Sequence, residues 1–229
     1  MKRFWKEAQA VRQDGGWGIA LDGRAVRTPA RAPLLIASQA LAAAIAAEWA
    51  AQGETIDPAA MPLTGLANAA IDLAAPDPAA FAEPIAAYAA SDLLCYRDDR
   101  DTALQAEQAA AWNPLLAWAE ARHGVEFALA RGVLPVDQPP ATVTALRDAV
   151  RVLDPFRLAA LAPLVTIGGS LVAGLALTED AFDAAALWDA VSLDELYQER
   201  RWGADSEAQK ARALREADWH HAARFLTLL

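Results

Sequence analysis

The chain has one cysteine, Cys95, and three histidines, His123, His220 and His221. A single cysteine leaves no intramolecular disulfide and no cysteine-rich zinc site, which fits a reducing compartment. A zinc centre needs three or four ligands at compatible spacing, and adjacent histidines on a helix point about 100° apart, so His220 and His221 make a poor pair. Cys95 lies in the apolar setting LLCYR, which favours a buried, inert thiol over a nucleophile. No P-loop and no G-x-G-x-x-G pattern occurs, and Gly168-Gly169-Ser170 is too short to cradle phosphate. A G-x-S-x-G elbow is also missing, and the acid pairs Asp98-Asp99 and Glu179-Asp180 read as solvated turns or helix starts. No catalytic residue, cofactor or metal ligand emerges.

Positive charge is also scarce: 20 Lys and Arg stand against 30 Asp and Glu, a formal charge of -10. That balance repels phosphate backbones and anionic lipid surfaces, and it argues against a nucleic-acid partner. Only one stretch, from Leu158 to Thr178, is long and uncharged enough to raise the question of a membrane span. Pro163, Thr166, Gly168, Gly169 and Ser170 interrupt it and no basic cluster flanks it, so a buried helix beside a short turn is the expectation, with no membrane insertion. The N-terminal MKRFWKEAQAVRQDGG lacks the apolar run and cleavage site of a secretory signal.

What is present is a folded protein. With 229 residues, 55% of them hydrophobic, the chain can build one large core or two small ones. Strand and turn signals fill residues 3–37: Phe4 to Val11, Trp17 to Leu21 and Ala25 to Thr28, with Asp22-Gly23 as a hairpin turn and Pro29 and Pro33 closing the meander. From Ser38 onward the pattern is helical. Helices are expected after the Ser38 cap, at Leu63 to Ala74, at Pro78 to Ala90 behind Asp77, and at Thr102 to His123 before Gly124. Beyond Pro139-Pro140 they are expected at Ala141 to Leu153, Pro163 to Leu177, Glu179 to Val191, Leu193 to Trp202 and Ser206 to Leu228. The charged run Arg97 to Asp101 is the candidate boundary. The expected fold is α+β, with a small N-terminal domain over 1–99 carrying an antiparallel meander plus helices, and an all-helical orthogonal bundle over 100–229.

The segment VSLDELYQERRWG, Val191 to Gly203, packs acid, amide, aromatic and base into one expected helix without forming a catalytic set. Ser192 and Glu195 match a capping box. Glu195, Gln198, Glu199 and Trp202 share one face and Leu193, Leu196 and Tyr197 the other, with Gly203 suited to a left-handed helix end. The chain also holds eight tryptophans, most of which must anchor the core, while an exposed one or two would be interface anchors. In the first long helix Trp49 falls beside Leu41, Ile45 and Glu48, on the apolar side.

Several segments together resemble one family: RFWKEAQAV, LDGRAVRTPARAPL, LAAAIAAEWAAQGETIDPAAMPLTGLANAAID, DLLCYR, QAAAWNPLLAW, SLVAGLAL and LDELYQERRWGADSEA. In order and spacing they are similar to the chaperones that assist assembly of the F1 sector of ATP synthase by holding its free alpha subunit. The resemblance implies a two-domain α+β protein without catalysis. It implies that the chaperone shields the beta-facing surface of the alpha subunit until the beta subunit displaces it. It also places the functionally important acid at Glu195, with Gln198, Glu199 and Trp202 on its face, Asp194 beside it, and Ser192, Gly203 and Trp49 as structural positions of the motifs. Trp49 is expected to act through packing. A monomeric bacterial cytoplasmic protein is the expectation, the mitochondrial matrix being the place of eukaryotic members. Two other readings make distinct forecasts: a small-molecule enzyme using scattered carboxylates would show a deep pocket with strongly shifted acids, and a generic adaptor would be indifferent to the alpha subunit.

Overall fold

The computed structural model describes residues 2–132 and 134–229. They divide into two compact units. Unit 1 runs to Pro78 and takes in Asp154–Ala160 and His221–Leu229; unit 2 is Ala79–Leu153 with Leu161–His220. The expected partition at residue 99 differs from these units in two ways: the chain leaves unit 1 earlier, and it returns to it twice. The returns arise from packing, because Ala160 and Phe225 are buried in the unit 1 core, which a linear reading does not mark. The charged run read as a boundary is a capping turn. Asp98 Oδ1 accepts from the Arg100 and Asp101 amides at 2.8 and 2.6 Å, and Asp101 Oδ1 accepts from the Ala103 amide at 3.0 Å.

In unit 1, β1 (Ala8–Gln13) and β2 (Gly16–Leu21) form an antiparallel hairpin with Ala8 opposite Leu21. The chain turns into β3 (Arg24–Ala25) through Asp22 and Gly23, at φ 47° and 80°. Two consecutive left-handed residues are what a tight primed turn requires, and Asp-Gly tolerates both. Past Pro33, where the meander was expected to close, β4 (Leu35–Ile36) adds a further pairing to β2 at Trp17 and Gly18. Helix α1 (Gln39–Ala50) starts where Ser38 Oγ accepts from the Leu41 amide at 3.3 Å. Its Leu41 and Ile45 pack with Ile19, Ile36, Leu63 and Phe225 in the core, and Trp49 packs against the edge of that cluster. Trp49 also meets the Trp5 ring edge-on at 5.2 Å.

Helix α2 (Pro62–Ala69) has Met61 at its cap position, which offers no acceptor. Glu48 of α1 supplies it: its carboxylate accepts from the Leu63 and Thr64 amides, each at 2.8 Å, and from Thr64 Oγ1 at 2.7 Å. A carboxylate at a helix N-terminus satisfies orphan amides and opposes the macrodipole. The helix expected to continue to Ala74 changes to a π turn over Ala70–Ala74.

Unit 2 is mostly helical. It contains α3 (Pro78–Ala86) from Ala79 onward, α4 (Thr102–His123) and α5 (Pro140–Arg151). It also contains α6 (Pro155–Gly168) from Leu161 onward, α7 (Leu171–Thr178), α8 (Ala184–Val191), α9 (Leu193–Trp202) and α10 (Ser206–Thr227) as far as His220. Among the described residues, the expected all-helical stretch from residue 100 holds one short strand, β6 (Ala130–Arg131), which pairs in parallel with β5 (Tyr96–Arg97) just before it. Helix α4 ends as expected, with Gly124 left-handed at φ 65°, ψ 40°. Trp112 is buried at its centre and donates Nε1–H to the Ala190 carbonyl at 2.7 Å.

The uncharged stretch is two helices. The helix expected from Pro163 to Leu177 is divided at Gly169, φ 65°, and Ser170 Oγ restarts it by accepting from the Ala173 amide at 3.0 Å. Every residue of α7 from Leu171 to Leu177 is buried, which explains the missing charge. The enclosed carboxylate of Asp92 accepts from the Val172 and Leu94 amides at 2.9 and 3.0 Å, and burial pushes its pKa up. A Cβ at Gly168 would come within 2.8 Å of the Trp219 ring, so the helix approaches that indole only because the residue is glycine. Among the described residues, no helix is long and apolar enough to cross a membrane.

Candidate functional site

Helix α9 occupies the expected residues, but it does not begin as expected. Ser192 stands at the cap position with φ -96° and ψ 3°, and its hydroxyl makes no capping bond. The cause is the preceding helix. The Ser192 amide still donates to the Trp188 carbonyl of α8 at 3.0 Å while its own carbonyl accepts from Leu196 at 3.0 Å, so the residue is not extended and cannot aim Oγ at the first amides. Glu195 therefore does not fold back to the cap.

Glu195 instead points to α10. Its Oε2 accepts from Arg215 at 2.5 Å and its Oε1 lies 3.6 Å from Arg212. Arg212, with a side chain only 14% exposed, also reaches Glu199 Oε2 at 2.5 Å. Gln209 donates to the other Glu199 oxygen, and the Arg212 and Gln209 hydrogen bonds hold that carboxyl below its usual range. Two carboxylates thus meet two guanidiniums. The face that the sequence presents as acidic is electrically balanced, because the arginines that neutralise it lie in α10.

Burial of α9 follows its periodicity. Leu193 and Tyr197 are buried, Leu196 is half-buried, Gln198 is exposed, and Trp202 is 72% exposed. Glu195, Gln198, Glu199, Trp202, Gly203 and Arg212 line a shallow groove of about 240 Å³. The Arg201 guanidinium sits 5.9 Å from the centre of the Trp202 ring. Gly203 has the positive φ expected, 95°, but ψ is 161°, outside the left-handed helical basin and in a region open essentially to glycine alone. The chain consequently leaves α9 extended. Asp205 Oδ1 then caps α10 through the Glu207 and Ala208 amides, at 2.9 and 2.8 Å.

Asp194 lies elsewhere. Its Oδ1 accepts from the buried Gln108 of α4 at 2.9 Å, and Gln108 in turn accepts from the Asp98 amide at 2.9 Å. Burial raises the pKa of Asp194, with the Gln108 bond opposing. It lines a second groove, about 390 Å³, with Arg97, Asp98 and Gln198. The structure thus gathers Glu195, Glu199 and Trp202 around one groove, sets Asp194 in another, and lets Gln198 border both. Tyr197 and Arg201 fasten the helix to the start of α4 by sharing Asp101 Oδ2, at 2.8 and 2.5 Å.

A third groove went unread in the sequence. It is largely apolar, about 540 Å³, lies along α4, α8 and α9, and is lined by Ala111, Leu115, Phe182, Leu187, Leu193 and Leu196. The Arg200–Glu107 pair closes its rim. Nothing in the local pattern separates a leucine that lines a groove from one that fills a core. The chemistry around α9 is therefore that of noncovalent contact: an exposed indole, an exposed amide and ionised groups already paired. Among the described residues no group of three or more histidine, cysteine or acid side chains is placed to hold a metal. Cys95 is enclosed and its thiol is pushed up to about 12, chiefly by burial.

This geometry has known counterparts. Residues 2–120 match the model of the ATP12 chaperone protein family. The structure of Atp12 from Paracoccus denitrificans is 43% identical, covers 99% of this chain and 97% of that one, and superposes with a TM-score of 0.94. An aspartate-to-lysine mutant of the same protein matches equally well. The Atu1473 protein of Agrobacterium tumefaciens, a candidate chaperone, is 39% identical, with 99% of this chain and 85% of that chain covered and a TM-score of 0.93. The family match and the shared fold define a chaperone. The chain belongs to the ATP12 chaperone family.

Proposed function

We propose that this protein holds the free alpha subunit of the F1 sector of ATP synthase during assembly, shielding its beta-facing surface until the beta subunit takes its place. Membership of the ATP12 family supports an assembly partner in the F1 sector. Trp202 carries the choice of surface, being 72% exposed at the end of a helix whose charged neighbours are already paired. Aromatic anchors dominate binding energy at interfaces. A rim of residues locked in ion pairs loses little further freedom when a partner arrives. On this reading Trp202 is the anchor, Glu195, Gln198 and Glu199 form the polar rim, and Asp194 extends the contact through the neighbouring groove. Ser192 and Gly203 shape the two ends of the helix, and Trp49 acts through the packing of unit 1. The protein works without catalysis, as a monomer when free, in the bacterial cytoplasm.

The test mixes the purified protein with freshly diluted alpha subunit and follows complex formation and light scattering. Wild type is expected to form a one-to-one complex and suppress aggregation. Trp202→Ala is expected to weaken the complex by about 10- to 100-fold with the fold intact. Glu195→Lys is a harsher variant, because it sets a third cation beside Arg212 and Arg215. Unchanged affinity in both variants would remove the α9 face from the interface. No complex with wild type would remove the alpha subunit as the partner.

A further inference from the structure

Arg97 of β5 and Arg131 of β6 are register partners in the parallel ladder. Like charges placed directly opposite on paired strands destabilise the pairing. In a chain with ten more acids than bases, 30 against 20, this is an unexpected place for two cations to meet. The Arg97 guanidinium lies 5.1 Å above the centre of the buried Trp112 ring and donates through Nη2 to Asn113 Oδ1 at 2.9 Å. Its enclosed Nε and Nη1 bond to nothing among the described residues. The guanidinium is partly desolvated, its one side-chain acceptor is a neutral oxygen, and Asp194 acts on it through its charge without a hydrogen bond.

No nearby acid makes a hydrogen bond to the two enclosed nitrogens. Asp98 spends Oδ1 on the turn before α4, and Asp194 spends Oδ1 on Gln108. Both arginines line a groove of about 630 Å³ with Thr102, Gln105, Asn113 and Leu129, and Leu129 is 50% exposed. We propose that this groove is a receptor for a single carboxylate, taking an aspartate or glutamate side chain of a partner polypeptide between Arg97 and Arg131, with Leu129 against an apolar neighbour of that acid. A carboxylate is favoured over phosphate because Asp98 also borders the groove and repels a second negative charge more than a first. This groove shares no lining residue with the one at Trp202, although Arg97 and Asp98 also line the Asp194 groove.

The experiment titrates the full folded chain with N-acetylglutamate N-methylamide, its glutamine counterpart, and inorganic phosphate at matched ionic strength. It follows the Arg97 Nε–H and Trp112 indole signals by NMR. The glutamate probe is expected to shift both signals saturably, the glutamine probe to shift neither, and phosphate to bind more weakly than the glutamate probe. Arg131→Gln, a change at an exposed side chain, is expected to weaken the glutamate probe by about 10-fold. The same variant without ligand is expected to melt slightly higher than wild type, since it removes the like-charge opposition. Absence of a shift, equal shifts from the uncharged probe, tighter phosphate binding, or an Arg131→Gln variant with unchanged affinity would each overturn the assignment. The alpha subunit takes no part in this titration, so its outcome and that of the chaperone test are independent.

Discussion

Helices α7 and α9 are both short and belong to the same unit, yet they are held in opposite ways. In α7 every residue from Leu171 to Leu177 is buried, and its N-terminus is closed by Ser170 and by the enclosed carboxylate of Asp92. In α9 only Leu193 and Tyr197 are buried, and the rest is tied by ion pairs to α4 and α10. Packing fixes the first, and its side chains are unavailable to a partner. Electrostatics orient the second, which leaves Gln198 and Trp202 in solvent. A segment that must be stable and presentable together can bury one stripe and pair its charges on the other.

The largest effect should come from the packed helix. Leu175→Ala removes a buried side chain from α7 and is expected to cost about 3 kcal/mol in denaturant unfolding. Next, Asp92→Ala leaves the Val172 and Leu94 amides without their acceptor and should cost about 2 kcal/mol by the same measurement. A smaller loss is expected for Arg212→Ala, because Glu195 keeps Arg215 and Glu199 keeps Gln209, and the signals of α9 and α10 should move in NMR spectra while those of α7 stay. Trp202→Ala should leave the melting temperature almost unchanged, since an indole 72% exposed contributes little packing. If Trp202→Ala destabilised the fold as much as Leu175→Ala, the contrast between the helices would fail.

Acid sharpens the same contrast through the signs of the shifts. The carboxyls of Glu199 and Asp101 are held low, by the Arg212 and Tyr197 hydrogen bonds respectively. Their stabilisation is present above the ordinary carboxylate range and is lost as pH falls through their lowered values. Asp92 is raised by burial, so its contribution is complete below the ordinary value and declines as pH rises through the raised one. Lowering the pH from about 5 to about 3 should therefore loosen α9 before α7, read as amide exchange residue by residue. Earlier exchange in α7 would contradict these assignments.

Much of this architecture is legible in local pattern. The bounds of α4 match those expected, with Gly124 after it, although its cap, Asp101, falls in the charged run that reads as a boundary. The Asp22-Gly23 turn, the bounds of α9 and the opposite placement of Leu193 and Tyr197 against Gln198 and Trp202 follow likewise. The misreadings arise where a neighbour, adjacent or distant in the chain, overrides the local pattern. Ser192 resembles a cap until α8 runs into it, and the Pro163 helix looks continuous until Gly169 turns it. Glu195 and Glu199 look like free acids until Arg212 and Arg215 stand beside them.

By itself, then, the sequence determined the bounds of α4 and α9, the Asp22-Gly23 turn, the apolar stripe of α9, and that the chain resembles one family of chaperones. Those properties depend on residues three or four apart, where backbone geometry is the only structure needed. Tertiary structure decided that Glu48 caps α2, that Asp92 closes α7, that the acids of α9 are neutralised and that Arg97 meets Arg131. Each of these is an encounter, favourable or not, between residues far apart along the chain. Only the folded chain sets the distance and desolvation on which such an interaction depends.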